Sequence, residues 1–391
     1  MRGFAHLERE LAQLREQGTF RQLLPLDSSQ GARVKLNGRE VIQLSSNNYL
    51  GLTTHPRLLA AAQQAVSEWG AGTGSGRTIV GTFALHEELE RRLAAFKHTE
   101  AALVFQSGFT ANVGVLSTLL AEQDVVISDE WNHASIIDGI RLTKDARRIY
   151  KHCDMNELEQ VLKETQHYRT RLVVTDGVFS MDGDVAPLPE LVELAERYDA
   201  LVMVDDAHAS GVFGRNGRGT VDHFALNGRV HIQVGTLSKA IGVLGGYVAS
   251  TQTVRDYLIQ RGRPFLFSTS HPPAVAAACL AALDVLLEES NLIDKLWENT
   301  RFFQEGLRQL GFSTGNSQSP ITPVIVGESA LALQLSDRLL EEGVLAQGIT
   351  YPTVPKHAAR VRTIVTAQHT REDLEMALAA FAKVGNELRL I

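Results

Sequence analysis

Seven short apolar runs alternate with segments of helical periodicity between residues 101 and 249, and this alternation constrains the fold more than any other feature of the chain. The runs are AALVF (101–105), VVIS (125–128), RRIY (147–150), RLVVT (171–175), ALVMV (200–204), HIQVG (231–235) and GGYVA (245–249). Several are apolar at every position instead of every second one, the pattern of strands covered by helices on both faces. The sequence therefore predicts an α/β fold with a mostly parallel sheet. Helix ends fall between the runs: Asp154, with Glu157 three residues later, has capping-box spacing for a helix over 155–164, and another helix begins after Pro187.

Beyond the apolar helix pattern at 272–289 the order is helix (291–310), strand (323–327), helix (330–342), strand (361–365) and helix (371–384), which predicts a small C-terminal α/β domain. A chain of 391 residues with 44 % hydrophobic residues is large enough for both units. The expected division is an N-terminal segment over 1–50, a large domain over 51–285 and the small domain over 286–391. Phe4, Leu7, Leu11 and Leu14 recur at helical spacing and make residues 4–16 an amphipathic arm.

The net charge of −7 comes without any run of five or six like charges, which argues against a nucleic-acid or membrane-surface partner. Cys153 and Cys279 are the only cysteines, too few for a disulfide framework and not in a paired ligand motif, so a reducing cytoplasm is expected. Glu8, Glu10 and Glu16 interrupt what would be the apolar centre of a signal peptide. No stretch reaches the roughly 18 to 20 apolar residues of a membrane span.

In open α/β sheets ligands bind beyond the carboxyl ends of the strands, so the residues after each run are the candidates for chemistry. Gln106, Ser107, Gly108 and Phe109 precede a helical pattern, a passage that is either a tight turn or a phosphate site made of free amides and the helix dipole. His133 follows the second run and is either a ring that lies flat on an aromatic ligand or a hydrogen-bonded surface residue. Ser180 lies in DGVFSMDG (176–183), and ALVMV leads into Asp205, Asp206, Ala207 and His208. Two consecutive aspartates after a buried strand call for a cation, because an unpaired buried carboxylate carries a large desolvation penalty. A metal helped by His208 is one candidate, but the usual ligand spacings are missing and no metal is assigned. The other is the protonated nitrogen of a pyridine cofactor.

HIQVG is followed by Thr236, Leu237, Ser238 and Lys239, then by Gly242, Gly245 and Gly246. A lysine at a strand end is usually solvated. Here a Schiff-base lysine facing a pyridinium-binding aspartate accounts for both residues at once. The glycine-rich GAGTGSGRTIVGT (70–82) is a loop expected to carry a ligand or partner.

Together these residues resemble the α-oxoamine synthase family, fold-type I pyridoxal-phosphate enzymes that condense amino acids with acyl-CoA thioesters. The likeness runs from SNNYLGL (46–52) to RTIVTAQHT (362–370). It rests on SGFTAN (107–112), DEWNHASIIDG (129–139), TDGVFSMDGD (175–184), VDDAHASG (204–211), TLSKA (236–240) and RPFLFSTS (263–270). The resemblance implies that Lys239 holds pyridoxal 5'-phosphate as a Schiff base, that Asp205 pairs with the pyridine nitrogen and that His133 stacks on the ring. It places Ser180 and His208 by the phenolic oxygen, and Gly108, Phe109 and Thr236 around ring and phosphate. It implies a homodimer with shared active sites, in which Ser268 and Thr269 reach the phosphate of the other subunit. Arg362 matches the arginine that binds the amino-acid carboxylate, with Asn47 helping, and Arg21 aligns loosely with an arginine on the acyl-CoA side.

Within the family, residues 75–90 and 263–273 look most like 2-amino-3-ketobutyrate coenzyme A ligase, also called glycine C-acetyltransferase, an enzyme of threonine catabolism. The overall likeness is to forms that combine this activity with 8-amino-7-oxononanoate synthase, which serves biotin synthesis. Glycine with acetyl-CoA is the first expectation and alanine with pimeloyl-CoA the alternative; a pyridoxal-phosphate aminotransferase is a more distant one. Ala209, after His208, departs from the glycine or serine of many relatives.

Overall fold

The computed structural model of the chain describes residues 2–16, 19–20, 22–143 and 146–391. Two strands, β1 (Arg33–Leu36) and β2 (Arg39–Gln43), precede the region of apolar runs. The seven runs form β3 (Ala101–Phe105), β4 (Val125–Asp129), β5 (Ala146–Tyr150), β6 (Arg171–Asp176), β7 (Leu201–Asp205), β8 (Ile232–Thr236) and β9 (Gly246–Ser250). They make one seven-stranded sheet in the order β3-β9-β8-β7-β6-β4-β5. β4 to β8 pair in parallel, and β9 runs antiparallel to both β3 and β8.

Every residue of β3, β4, β6, β8 and β9 is buried, as expected of strands covered on both faces. β5 exposes Arg147, Arg148 and Ile149, and it lies at the sheet edge, where charged side chains discourage further pairing. The strand order reverses between β4 and β6, and a ligand crevice opens where such a reversal splays the following loops.

The helix Met155–Glu164 starts as expected, with the Asp154 carboxylate accepting from the Asn156 and Glu157 amides at 3.0 Å each. The box is not closed, because the Glu157 carboxylate accepts from the Lys151 amide at 2.6 Å. Toward the C-terminus β10 (Ile321–Gly327), β11 (Val344–Leu345), β12 (Gln347–Ile349) and β13 (Ala359–Ile364) follow. β13 lies between β10 and β12, antiparallel to both.

β1 and β2 form a hairpin on Asn37 and Gly38, both with positive φ, and β2 pairs in parallel with β11. Ile42 and Leu44 share a core with Phe303, Leu335, Val361 and Phe381, so residues near the N-terminus complete the C-terminal layer. The helix Ala5–Glu16 buries none of its residues, and Phe4, Leu7 and Leu11 are exposed. No helix among the described residues is long and apolar enough to cross a membrane.

Candidate active site

A cavity of ≈170 Å³ opens at the carboxyl ends of β4, β6, β7 and β8, lined by His133, Asp176, Asp205, His208, Thr236 and Lys239, with Gly108 and Phe109 at one end. Separate strand ends thus deliver most of the residues expected from sequence to one place. The helix Gly108–Leu119 begins at this cavity, capped by Ser107, whose hydroxyl accepts from the Thr110 amide at 3.1 Å. No group among the described residues accepts from the Gly108 and Phe109 amides, which leaves a helix N-terminus free for an anion. Glycine at 246 permits this placement: a Cβ there would lie 2.4 Å from the Gly108 nitrogen.

Asp205 is buried and accepts from Asn112 Nδ2 at 2.6 Å and from the Ala207 amide at 2.8 Å. The adjacent Asp206 faces the other way. It meets Lys97 Nζ at 2.8 Å and the Thr220 hydroxyl at 2.6 Å. The cation expected for the aspartate pair is therefore supplied to Asp206 from within the chain. Asp205 retains no ion-pair partner among the described residues. Asp176, also buried, presents an Oδ1 without a hydrogen bond to the same region. Burial, together with the charge of Asp205, raises its pKa well above the usual carboxylate range.

Lys239 follows β8 in a turn closed by Gly242, whose φ is +78. Burial pushes its pKa down to about 8, with Asp205 opposing the shift and Arg362 assisting it. The His133 ring is exposed to the cavity mouth, and its Nδ1 accepts from the Ser135 amide at 3.2 Å. Although the residue opens to the mouth, the protein around the ring removes part of its water and lowers its pKa, and the acceptor role of Nδ1 puts the proton of the neutral ring on Nε2. His208 is buried, its Nδ1 lies 2.7 Å from the Tyr49 hydroxyl, and burial lowers its pKa well below the usual value.

Arg362 lies on β13, and its Nε donates to the Ser180 carbonyl at 2.6 Å. Asn47 has a buried Oδ1 without a hydrogen bond. Neither lines the first cavity. Ser180 lines a second cavity of ≈520 Å³ that shares His133 with the first and is walled by Trp131, Phe179, Val354 and Arg360. Ser268 and the exposed Thr269 line neither cavity; residue 269 pairs with Gly76. Arg21 lies outside the described residues.

Sequence reasoning missed four residues that shape the site. Asn112, Tyr49 and Asp176 lie inside quoted motifs without an assigned task, Asp176 directly after an apolar run. Lys97 gave no local signal, being 109 positions from its partner.

Pyridoxal phosphate fits this donor set. The free amides face an anion, Lys239 is an amine of lowered pKa without a hydrogen-bond partner among the described residues, and Asp205 is a buried carboxylate lacking its cation. The family model for class I and II aminotransferases matches residues 39–381. The chain is 69 % identical over 389 residues to an 8-amino-7-oxononanoate synthase of Exiguobacterium sibiricum, covering 100 % of both chains. It is 61 % identical over 388 residues to 8-amino-7-oxononanoate synthase 1 of Bacillus subtilis, covering 99 % of both. Among solved structures, a serine palmitoyltransferase of Sphingomonas wittichii matches with a TM-score of 0.94 at 34 % identity, over 99 % of this chain and 98 % of that one. An 8-amino-7-oxononanoate synthase of Francisella tularensis matches with a TM-score of 0.77 at 29 % identity, over 90 % and 99 %.

The chain belongs to the class I and II aminotransferase family and, within it, to the pyridoxal-phosphate-dependent α-oxoamine synthases, which transfer an acyl group from CoA to an amino acid. The expectation of glycine C-acetyltransferase and of threonine catabolism is not supported, since these close relatives are named for the oxononanoate synthase. The segments that suggested it, 75–90 and 263–273, line neither cavity at His133 in this chain.

Proposed function

We propose that the protein condenses alanine with pimeloyl-CoA, giving 8-amino-7-oxononanoate, free CoA and carbon dioxide with uptake of one proton. Full-length identity of 69 % to a relative named for this activity is the observation that carries the choice of substrates. When bound, pyridoxal phosphate supplies an electron sink that acidifies the amino acid's Cα–H bond.

Lys239 would hold the cofactor through its amine and, when that amine is free, would take the Cα proton. A lowered pKa suits a base of this kind at neutral pH. Asp205 keeps the pyridine nitrogen protonated, and Asn112 orients the carboxylate. The Gly108 and Phe109 amides and Thr236 hold the phosphate. His133 would cover the ring, and its Nε2 proton would be available to the thioester oxygen on which charge develops. His208 holds the phenolic oxygen, with Ser180 nearby. Arg362 binds the amino-acid carboxylate with its planar fork, assisted by Asn47. Ser268 and Thr269 reach the phosphate of a second copy, so the working unit is a homodimer. That neither lines this chain's own cavities supports that reading.

The test is release of free CoA from pimeloyl-CoA with alanine, run beside acetyl-CoA with glycine on cofactor-loaded protein. Faster release from the first pair supports the proposal. Faster release from the second overturns the substrate assignment, and release from neither, with amino-group transfer to a keto acid, replaces it by an aminotransferase.

A further inference from the structure

His152, in the loop after β5, makes two ion pairs next to the cavities without lining either. Its Nδ1 lies 3.1 Å from Asp129 Oδ1 and its Nε2 lies 2.8 Å from Asp184 Oδ2. Ionised carboxylates only accept, so both ring nitrogens carry hydrogens and the ring is an imidazolium. It stacks on Trp131 at 4.0 Å and 14° and meets the Phe179 ring edge-on at 4.4 Å. Burial opposes the charge, but the hydrogen bonds to Asp129 and Asp184 outweigh it, and the pKa is pushed up to about 12. Asp129, His152 and Cys153 bring ligand atoms within 4.8 Å of one another, yet a metal there would replace the hydrogen on one ring nitrogen and end the double pairing of the imidazolium.

Asp129 ends β4, and Asp184 lies in the loop after β6. Asp129 also accepts from the Trp131 and Cys153 amides at 2.9 Å each, which fixes the loop leading to His133. Asp184 closes a turn with Phe179, its carbonyl accepting from the Phe179 amide at 3.0 Å, and within that turn the Ser180 carbonyl receives Arg362 Nε. We infer that His152 is a positioning residue that clamps the loop of His133 to the loop that orients Arg362, and so sets the geometry of amino-acid binding. The inference rests on the carboxylate-binding role proposed above for Arg362. A desolvated, doubly paired imidazolium makes a stiffer link than an apolar contact, because each charge-assisted bond fixes direction as well as distance.

The experiment uses holoenzyme carrying His152→Phe, which keeps the ring stack and loses both bonds, and separately Asp184→Asn, which weakens one bond with little change in shape. Alanine affinity is read from the change in cofactor absorbance without acyl-CoA, and KM and kcat from CoA release. Expected is a rise of about 10- to 100-fold in the alanine Kd and KM for His152→Phe, as for lost charge-assisted bonds. A smaller fall in kcat and unchanged cofactor affinity should accompany it. Asp184→Asn shifts alanine Kd in the same direction, and the double variant is no worse than His152→Phe, because both act through one link. Alanine Kd within twofold of wild type in either folded variant overturns the inference, whatever the loss in Tm. Wild-type enzyme that binds alanine but releases no CoA would overturn the substrate reading alone, since alanine binding still reports on His152.

Discussion

Lys97 Nζ and Asp206 Oδ2 meet at 2.8 Å with neither side chain exposed to water. Burial opposes the ammonium, but Asp206, Tyr247 and Asp222 together outweigh it and hold the lysine pKa above its usual value. The pair anchors the start of the loop after β7, immediately beside Asp205. Lys97→Met leaves a buried carboxylate unpaired and is expected to cost about 3 to 5 kcal/mol in urea unfolding of the cofactor-free protein. Pairing it with Asp206→Leu should recover much of that loss. A single variant as stable as wild type would mean that Asp206 is neutral in the fold.

The buried Tyr49 hydroxyl, whose pKa burial raises, bonds Nδ1 of a neutral His208, donating to it when Nε2 carries the ring proton and accepting from it when Nδ1 does, so this bond ties the tautomer of His208 to the orientation of one hydroxyl. Tyr49→Phe frees the ring to change tautomer. The expectation is a fall in kcat of about 5- to 10-fold, the equivalent of one neutral hydrogen bond, with a shift in the cofactor's absorbance maximum. Unchanged spectrum and rate would remove His208 from the neighbourhood of the cofactor's oxygen.

Lys239 gives a pH prediction with a definite sign. Its pKa of about 8 lies below the roughly 10.4 of a free lysine, so the unfolded chain binds the extra proton between these values. The site therefore weakens the cofactor-free fold below about pH 8, and that penalty disappears as pH rises toward roughly 10.4. Labelling of Lys239 by an amine reagent, followed by mass spectrometry, should rise with a midpoint near pH 8. A midpoint at the free-lysine value would show that the amine is solvated. Lys239→Ala should abolish both the covalent cofactor absorbance and turnover.

The sheet was legible because strands buried on both faces leave apolar runs, and all seven runs became strands. The cavity was legible because its residues follow those runs directly, as Lys239 follows β8. What the sequence concealed was pairing at a distance. Nothing local to Asp206 points to Lys97, and nothing local to His152 points to Asp184. The β1–β2 hairpin carried a readable signal in Asn37-Gly38, the residues that suit a two-residue turn with φ positive at both positions. It was overlooked because RVKL and REVIQ are short and rich in charge. The acyl-chain preference stayed hidden for another reason: a methylene in a hydrophobic pocket is worth only about 1 to 3 kcal/mol, too little to mark any one residue in the sequence.

Asn112 connects the two groups proposed to hold the cofactor ring. Its Nδ2 donates to Asp205 Oδ2 at 2.6 Å and to Ser135 Oγ at 2.9 Å, and that hydroxyl lies 2.7 Å from His133 Nδ1. One amide thus fixes a carboxylate on one side and, through a serine, an imidazole on the other. Asn112→Ala removes a hydrogen bond to a charged acceptor, worth about 1.5 to 3 kcal/mol, so cofactor affinity should fall by about 10- to 100-fold. Ser135→Ala cuts only the branch to His133 and should lower kcat while leaving cofactor affinity near wild type. Absorbance titration of cofactor-free protein measures the first effect and CoA release the second. If both variants lost cofactor affinity equally, the support would run through Ser135 and His133, and the Asn112–Asp205 bond would not hold the ring.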